Sequence, residues 1–80
     1  MSINRNTETV ITGTAQLGNT IRRAREQQGL DQAELAARAD VHRTYVSKFE
    51  NNPPRDTLSR LLRMLHALDL ELVIRHRTPR

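Results

Sequence analysis

Residues 30–52 read LDQAELAARADVHRTYVSKFENN, and the order of small, apolar and capping residues in this run decides the fold. Asp31 with Glu34 three positions on forms a capping box that opens a short helix. Leu35, Ala36 and Ala39 give that helix an inner face, and Asp40 ends it, because aspartate tolerates the left-handed backbone of a helix stop. Val41 is expected to be buried in the turn. His42 or Arg43 then starts a second short helix running to Asn51, with Val46 and Phe49 turned inward and Tyr45 partly buried. Ala36 has to be small because the following helix crosses close above it. Two unrelated amphipathic helices would meet one or two of these demands by chance, and here all are met.

Working outward, a preceding helix is expected from a Thr14 cap to about Gln28, carrying Leu17, Ile21 and Ala24 at helical spacing and stopped by Gly29. On the other side Asn52-Pro53-Pro54 breaks the chain, and Asp56 or Thr57 caps a further helix with the stripe Leu58, Leu61, Leu62, Leu65 and Leu68. The period then changes. Leu70, Leu72 and Ile74 alternate with Glu71, Val73 and Arg75, which predicts a half-buried strand at about 69–76. A strand alone in a helical chain needs a partner for its backbone groups. The expectation is the same strand of a second copy, antiparallel across a two-fold axis, with Leu70, Leu72 and Ile74 as the dimer seam. The chain thus divides into a flexible arm (1–13), one domain (14–76) and a tail (77–80).

With 80 residues and no cysteine, the chain has room for one small domain and no disulfide to support it. A domain of this size buries only about 60% of its unfolded surface, so oligomerisation is the expected support. The net charge of +4 and a pI near 11 fit a nucleic-acid partner or another anionic surface. Tyr45 and Phe49 are the only aromatic residues, which argues against single-strand binding by base stacking. No leader-like run or membrane-length apolar stretch is present, so a cytoplasmic protein without membrane contact is expected. His42, His66 and His76 share no ligand spacing, Gly13, Gly18 and Gly29 make no phosphate loop, and Ser47 has no evident base. Neither catalysis nor a metal or cofactor is expected.

Leu30, Gln32, Leu35, Ala36, Val41, Val46, Ser47, Glu50 and Asn51 together resemble the motif of the Xre/Cro helix-turn-helix family, over about residues 17–68. Asp31 replaces the usual Thr or Ser cap and Asp40 stands where glycine is usual, but both can fill the backbone role. Beyond the motif, ENNPP followed by DTLSRLLRMLHALDLELVIR is similar to the HipB antitoxins. The implied fold is mainly α, a lambda-repressor-like domain of four to five helices with one C-terminal β-strand paired across a homodimer.

In such a motif the second of the two short helices enters the major groove of double-stranded DNA. Arg43, Thr44, Ser47 and Lys48 lie opposite Val46 and Phe49, and by family position they read bases; arginine suits guanine and Thr44 a thymine methyl. Gln32 matches a phosphate-contacting glutamine, and His42, Asn51 and Asn52 are further phosphate candidates, with helix entry or turn shaping as the alternative. Arg25 and Glu50 match a salt bridge of the repressors, although the residues alone would read as surface charges. The resemblance implies a repressor of its own operon, bound to an inverted-repeat operator, acting as antitoxin to a HipA-type kinase toxin. A stand-alone repressor without a toxin, or an interaction module without DNA binding, are the alternatives.

Overall fold

The computed structural model describes residues 8–77. The elements follow as β1 (Glu8–Ile11), α1 (Thr14–Gln27), α2 (Gln32–Ala39), α3 (Arg43–Asn51), α4 (Arg55–Ala67) and β2 (Leu72–Arg75). Four helices and a C-terminal strand are thus the expected fold class, and β1 is an addition to it.

Three helices close by one device. After α1, α2 and α4 the chain turns through a left-handed residue: Gly29 (φ 72°), Asp40 (φ 58°) and Asp69 (φ 61°). The residue after each donates back across the last turn, Leu30 to the Arg25 carbonyl at 3.1 Å, Val41 to Ala36 at 3.0 Å and Leu70 to Leu65 at 2.7 Å. This is the Schellman closure, which satisfies carbonyls that the helix end leaves open.

Helix starts differ more from expectation. The capping box of α2 is complete: Asp31 Oδ1 accepts from the Glu34 N–H and Glu34 Oε1 from the Asp31 N–H, both at 2.8 Å. Thr14 does not cap α1 but is its first residue. Gln16 holds this end instead, its Oε1 accepting from the Thr12 N–H at 2.7 Å and its Nε2 donating to the Val10 carbonyl at 2.6 Å. The helix start is thereby tied to the strand before it. α4 starts directly after Pro54, with no side-chain cap from Asp56 or Thr57. Proline fixes the entry angle, and Asp56 lies in the first turn, where a carboxylate suits the helix dipole.

The C-terminal strand finds its partner within its own chain, contrary to the reading of a solitary strand. β1 and β2 pair antiparallel, Glu8 opposite Arg75, Thr9 opposite Ile74, Val10 opposite Val73 and Ile11 opposite Leu72. Residues 8–11 of the expected arm are therefore strand. The β-branched run Thr9-Val10-Ile11 suits a pleated, half-buried surface, and the edge that had to be satisfied is satisfied locally. Residues 1–7 and 78–80, the first part of the arm and most of the tail, lie outside the described residues. Ile11, Leu72 and Ile74 turn toward the helices, while Val10 and Val73 face outward. Leu70 stays exposed, because the turn at Asp69 delays the strand to Leu72.

The core is thin. Among the described residues the buried apolar side chains are Ile11, Ala36, Val46 and Pro53. The leucine helix α4 has no buried residue; Leu58, Leu62 and Leu65 are half-buried, and Leu61, Met64 and Leu68 are exposed. Two further expectations are corrected. Val41 is 40% exposed and Tyr45 55% exposed, because the turn lies at the surface and Tyr45 sits tilted beside the half-buried Phe49, with centroids 6.1 Å apart.

Candidate nucleic-acid interface

The outward face of α3 exists because its inward face is anchored. Val46 and Glu50 are buried and Phe49 half-buried, so Arg43, Thr44 and Lys48 are left exposed and Ser47 half-exposed on the other side. The four side chains expected to read bases therefore share one free surface. His42 precedes them, exposed; its carbonyl accepts from the Tyr45 N–H at 2.9 Å, and its side chain caps nothing.

Glu50 is the hub behind this surface. Its side chain is fully enclosed (0% exposed) and receives a two-pronged contact from Arg25, Nε to Oε2 at 2.7 Å and Nη2 to Oε1 at 3.0 Å. Arg25 is itself 11% exposed and also donates from Nη1 to the Leu30 carbonyl at 2.8 Å. One guanidinium thus joins α1, the α1–α2 turn and α3. The hydrogen bond from Arg25 holds the Glu50 carboxyl below its usual range, outweighing the burial that would raise it, and the Gln32 bond and the Arg22 charge act the same way. The Arg25 guanidinium is raised in turn, chiefly by its bond to Glu50. Both partners are charged at neutral pH.

The phosphate candidates are drawn into the same network. Gln32 Nε2 donates to Glu50 Oε1 at 3.1 Å, which fixes its amide at the start of α2. Arg22 Nη2 donates to Asn51 Oδ1 at 2.6 Å, while Asn51 Nδ2 donates to the Ser47 carbonyl at 2.9 Å. Each amide group keeps one hydrogen for a further acceptor. Asn52 is exposed, with its N–H on the Lys48 carbonyl at 2.6 Å. Arg22 was given no role from the sequence, so its link to Asn51 was missed. The available signal was its spacing of three from Arg25, which puts both on one helix face.

Gly18 was also missed. It is buried where α1 crosses the end of α3, and glycine is what lets the two backbones approach. Leu72 and Ile74, expected at a dimer seam, pack inward, and Leu70 lies on the surface beside them. Among the described residues no three histidine or acidic side chains gather as a metal site, and no helix is long and apolar enough to cross a membrane.

Comparison with known proteins agrees with this geometry. Residues 21–74 match the model of the helix-turn-helix family. Antitoxin HipB of Escherichia coli K12 is 36% identical over 59 residues, covering 74% of this chain and 67% of that protein. Antitoxin HipB of Escherichia coli O6:H1 is 34% identical over 59 residues, 74% of this chain and 63% of that one, so the match stops just short of two thirds of its length. An uncharacterized HTH-type transcriptional regulator, y4dL of Sinorhizobium fredii, is 34% identical over 61 residues but only 31% of its own length is matched. No solved structure gives a significant match. Proteins of this kind bind and are not enzymes. The chain belongs to the DNA-binding helix-turn-helix family and, within it, to the HipB-like antitoxins.

Proposed function

We propose that this protein is a homodimeric repressor that reads an inverted-repeat operator with α3 and restrains a HipA-type kinase toxin encoded with it. The observation that carries the DNA reading is the free face of α3, whose orientation is held by the enclosed Arg25–Glu50 pair. Arg43, Thr44, Ser47 and Lys48 contact base edges in the major groove. Gln32, His42, Asn51 and Asn52 contact the flanking phosphates, with Gln32 and Asn51 pre-oriented by their bonds to Glu50 and Arg22. Such pre-orientation lowers the entropy lost on binding.

Dimerisation is supported by what one copy leaves uncovered. Leu61, Met64, Leu68 and Leu70 are exposed, as are the outward Val10 and Val73, and among the described residues each strand of the two-stranded sheet has one neighbour. A second copy covers these side chains and sets two α3 helices about 34 Å apart, the spacing of successive major grooves on one duplex face. Repression of its own operon follows from binding there, in the cytoplasm where the DNA lies.

The test is a titration of operator duplex with wild type and with Arg43→Ala and Lys48→Ala. Each variant should lose about 1–3 kcal/mol of operator affinity and keep the wild-type melting temperature, since both side chains are exposed. Unchanged affinity in both would remove α3 from the reading.

A further inference from the structure

On the far side of α1 from the recognition surface, the chain forms an open groove of about 580 Å³ between that helix and the end of the sheet. Its charged wall is Arg23, Arg75 and Arg77 with His76, against the single carboxylate of Glu8. Glu8 reaches only Arg75, at 3.5 Å, and both side chains are more than half exposed. Among the described residues no carboxylate lies within ion-pair distance of Arg23 or Arg77. The groove therefore carries two guanidinium groups without an internal partner, spaced along a polar floor that includes Thr20 and Gln27.

We infer that this groove is a docking surface for an acidic segment of a partner protein. The proposal rests on the toxin-binding reading above and names where on this chain that partner sits. Direction separates the groove from the DNA surface. At about 100° per residue, Thr20, Arg23 and Gln27 lie on the flank of α1 opposite Gly18, Arg22 and Arg25, the residues that meet α3. A duplex seated on α3 leaves this flank open, so the two ligands can be held together. Guanidinium groups bind carboxylates through paired hydrogen bonds, and a groove with three arginines against one carboxylate both steers and selects an acidic segment. The Gln27 amide supplies an uncharged donor and acceptor for the backbone of such a segment, and the Thr20 hydroxyl, which donates to the Gln16 carbonyl, adds an acceptor.

The experiment follows backbone amide resonances of the isotopically labelled protein during titration with an oligoglutamate peptide, with and without saturating operator duplex. Peptide shifts should cluster at Thr20, Arg23, Gln27, His76 and Arg77 and persist when duplex is bound. The double variant Arg23→Glu/Arg77→Glu should weaken peptide binding about tenfold or more through like-charge repulsion, and leave duplex affinity and melting temperature near wild type. It should also abolish co-elution with the co-expressed kinase-type protein. If the milder Arg23→Gln/Arg77→Gln pair keeps full peptide affinity, the assignment fails. Peptide shifts that fall on α3 would place the segment elsewhere and overturn the assignment, and groove shifts displaced by duplex would instead make the groove part of a nucleic-acid surface. A wild-type protein that binds peptide in the groove but no duplex would overturn the repressor reading and leave this one standing.

Discussion

At Gly18 an ideal Cβ would lie 2.8 Å from the carbonyl oxygens of both Phe49 and Glu50 and 3.0 Å from Pro53 Cγ. Two of these are backbone atoms, so α1 and α3 would have to separate. In an exposed helix alanine is better than glycine by about 1 kcal/mol; here the sign reverses. Gly18→Ala should destabilise by about 1–3 kcal/mol, read from chemical denaturation, and weaken operator binding by displacing Glu50. A stabilised variant would show that the approach is looser than described. Asp40 and Asp69 behave oppositely. Both hold left-handed backbone that suits glycine better, so Asp40→Gly and Asp69→Gly should each add up to about 1 kcal/mol. Thermal melts decide this, a rise of several degrees per kcal/mol being the scale for a domain of this size.

Among the elements, α3 depends on an ion pair for its orientation. Arg25→Ala leaves the enclosed carboxylate of Glu50 with only the Gln32 bond and the more distant Arg22 charge, so the cost should approach that of breaking a buried pair, about 3–5 kcal/mol. Arg22 is 39% exposed and 3.8 Å from Glu50, so Arg22→Ala should cost about 0–1 kcal/mol. Equal melting temperatures for the two variants would contradict this ranking. The same pair sets an acid limit. The Glu50 carboxyl is lowered in the fold, so its contribution is complete above the unfolded value of about 4.3 and is lost as pH falls through the lower folded value. Stability of the wild type should therefore fall below about pH 4.3 more steeply than that of Glu50→Gln, which has nothing to protonate there. Parallel pH curves for the two proteins would refute the assignment.

For the molecule as a whole, the issue is a core too thin for its surface. Four buried apolar side chains among the described residues and a leucine helix without one leave Met64 58% and Leu68 68% exposed. Burying such surface returns about 25 cal/mol per Å², which an isolated copy forgoes. Met64→Glu together with Leu68→Glu should leave the helical signal of one copy intact while shifting sedimentation from dimer to monomer. Operator affinity should drop with it, because a monomer holds one half-site. A double variant that stays dimeric would place the seam on the sheet rather than on α4.

The sequence by itself determined the two short helices, their capping box, the left-handed stop at Asp40 and the inward set Ala36, Val46 and Phe49. These rest on contacts within a few residues, where spacing dictates geometry. It also determined that a strand follows α4, because alternation is a local pattern. Only the tertiary structure decided where that strand pairs, since Ile11 and Leu72 are neighbours across almost the whole chain and no period links them. Asp69 likewise takes its left-handed turn because the chain must swing from α4 back to β1, a demand that three-dimensional closure imposes. Gly18 and Arg22 belong to the same class. A glycine and an arginine read as ordinary helix residues until α1 and α3 cross, and their roles exist only at that crossing.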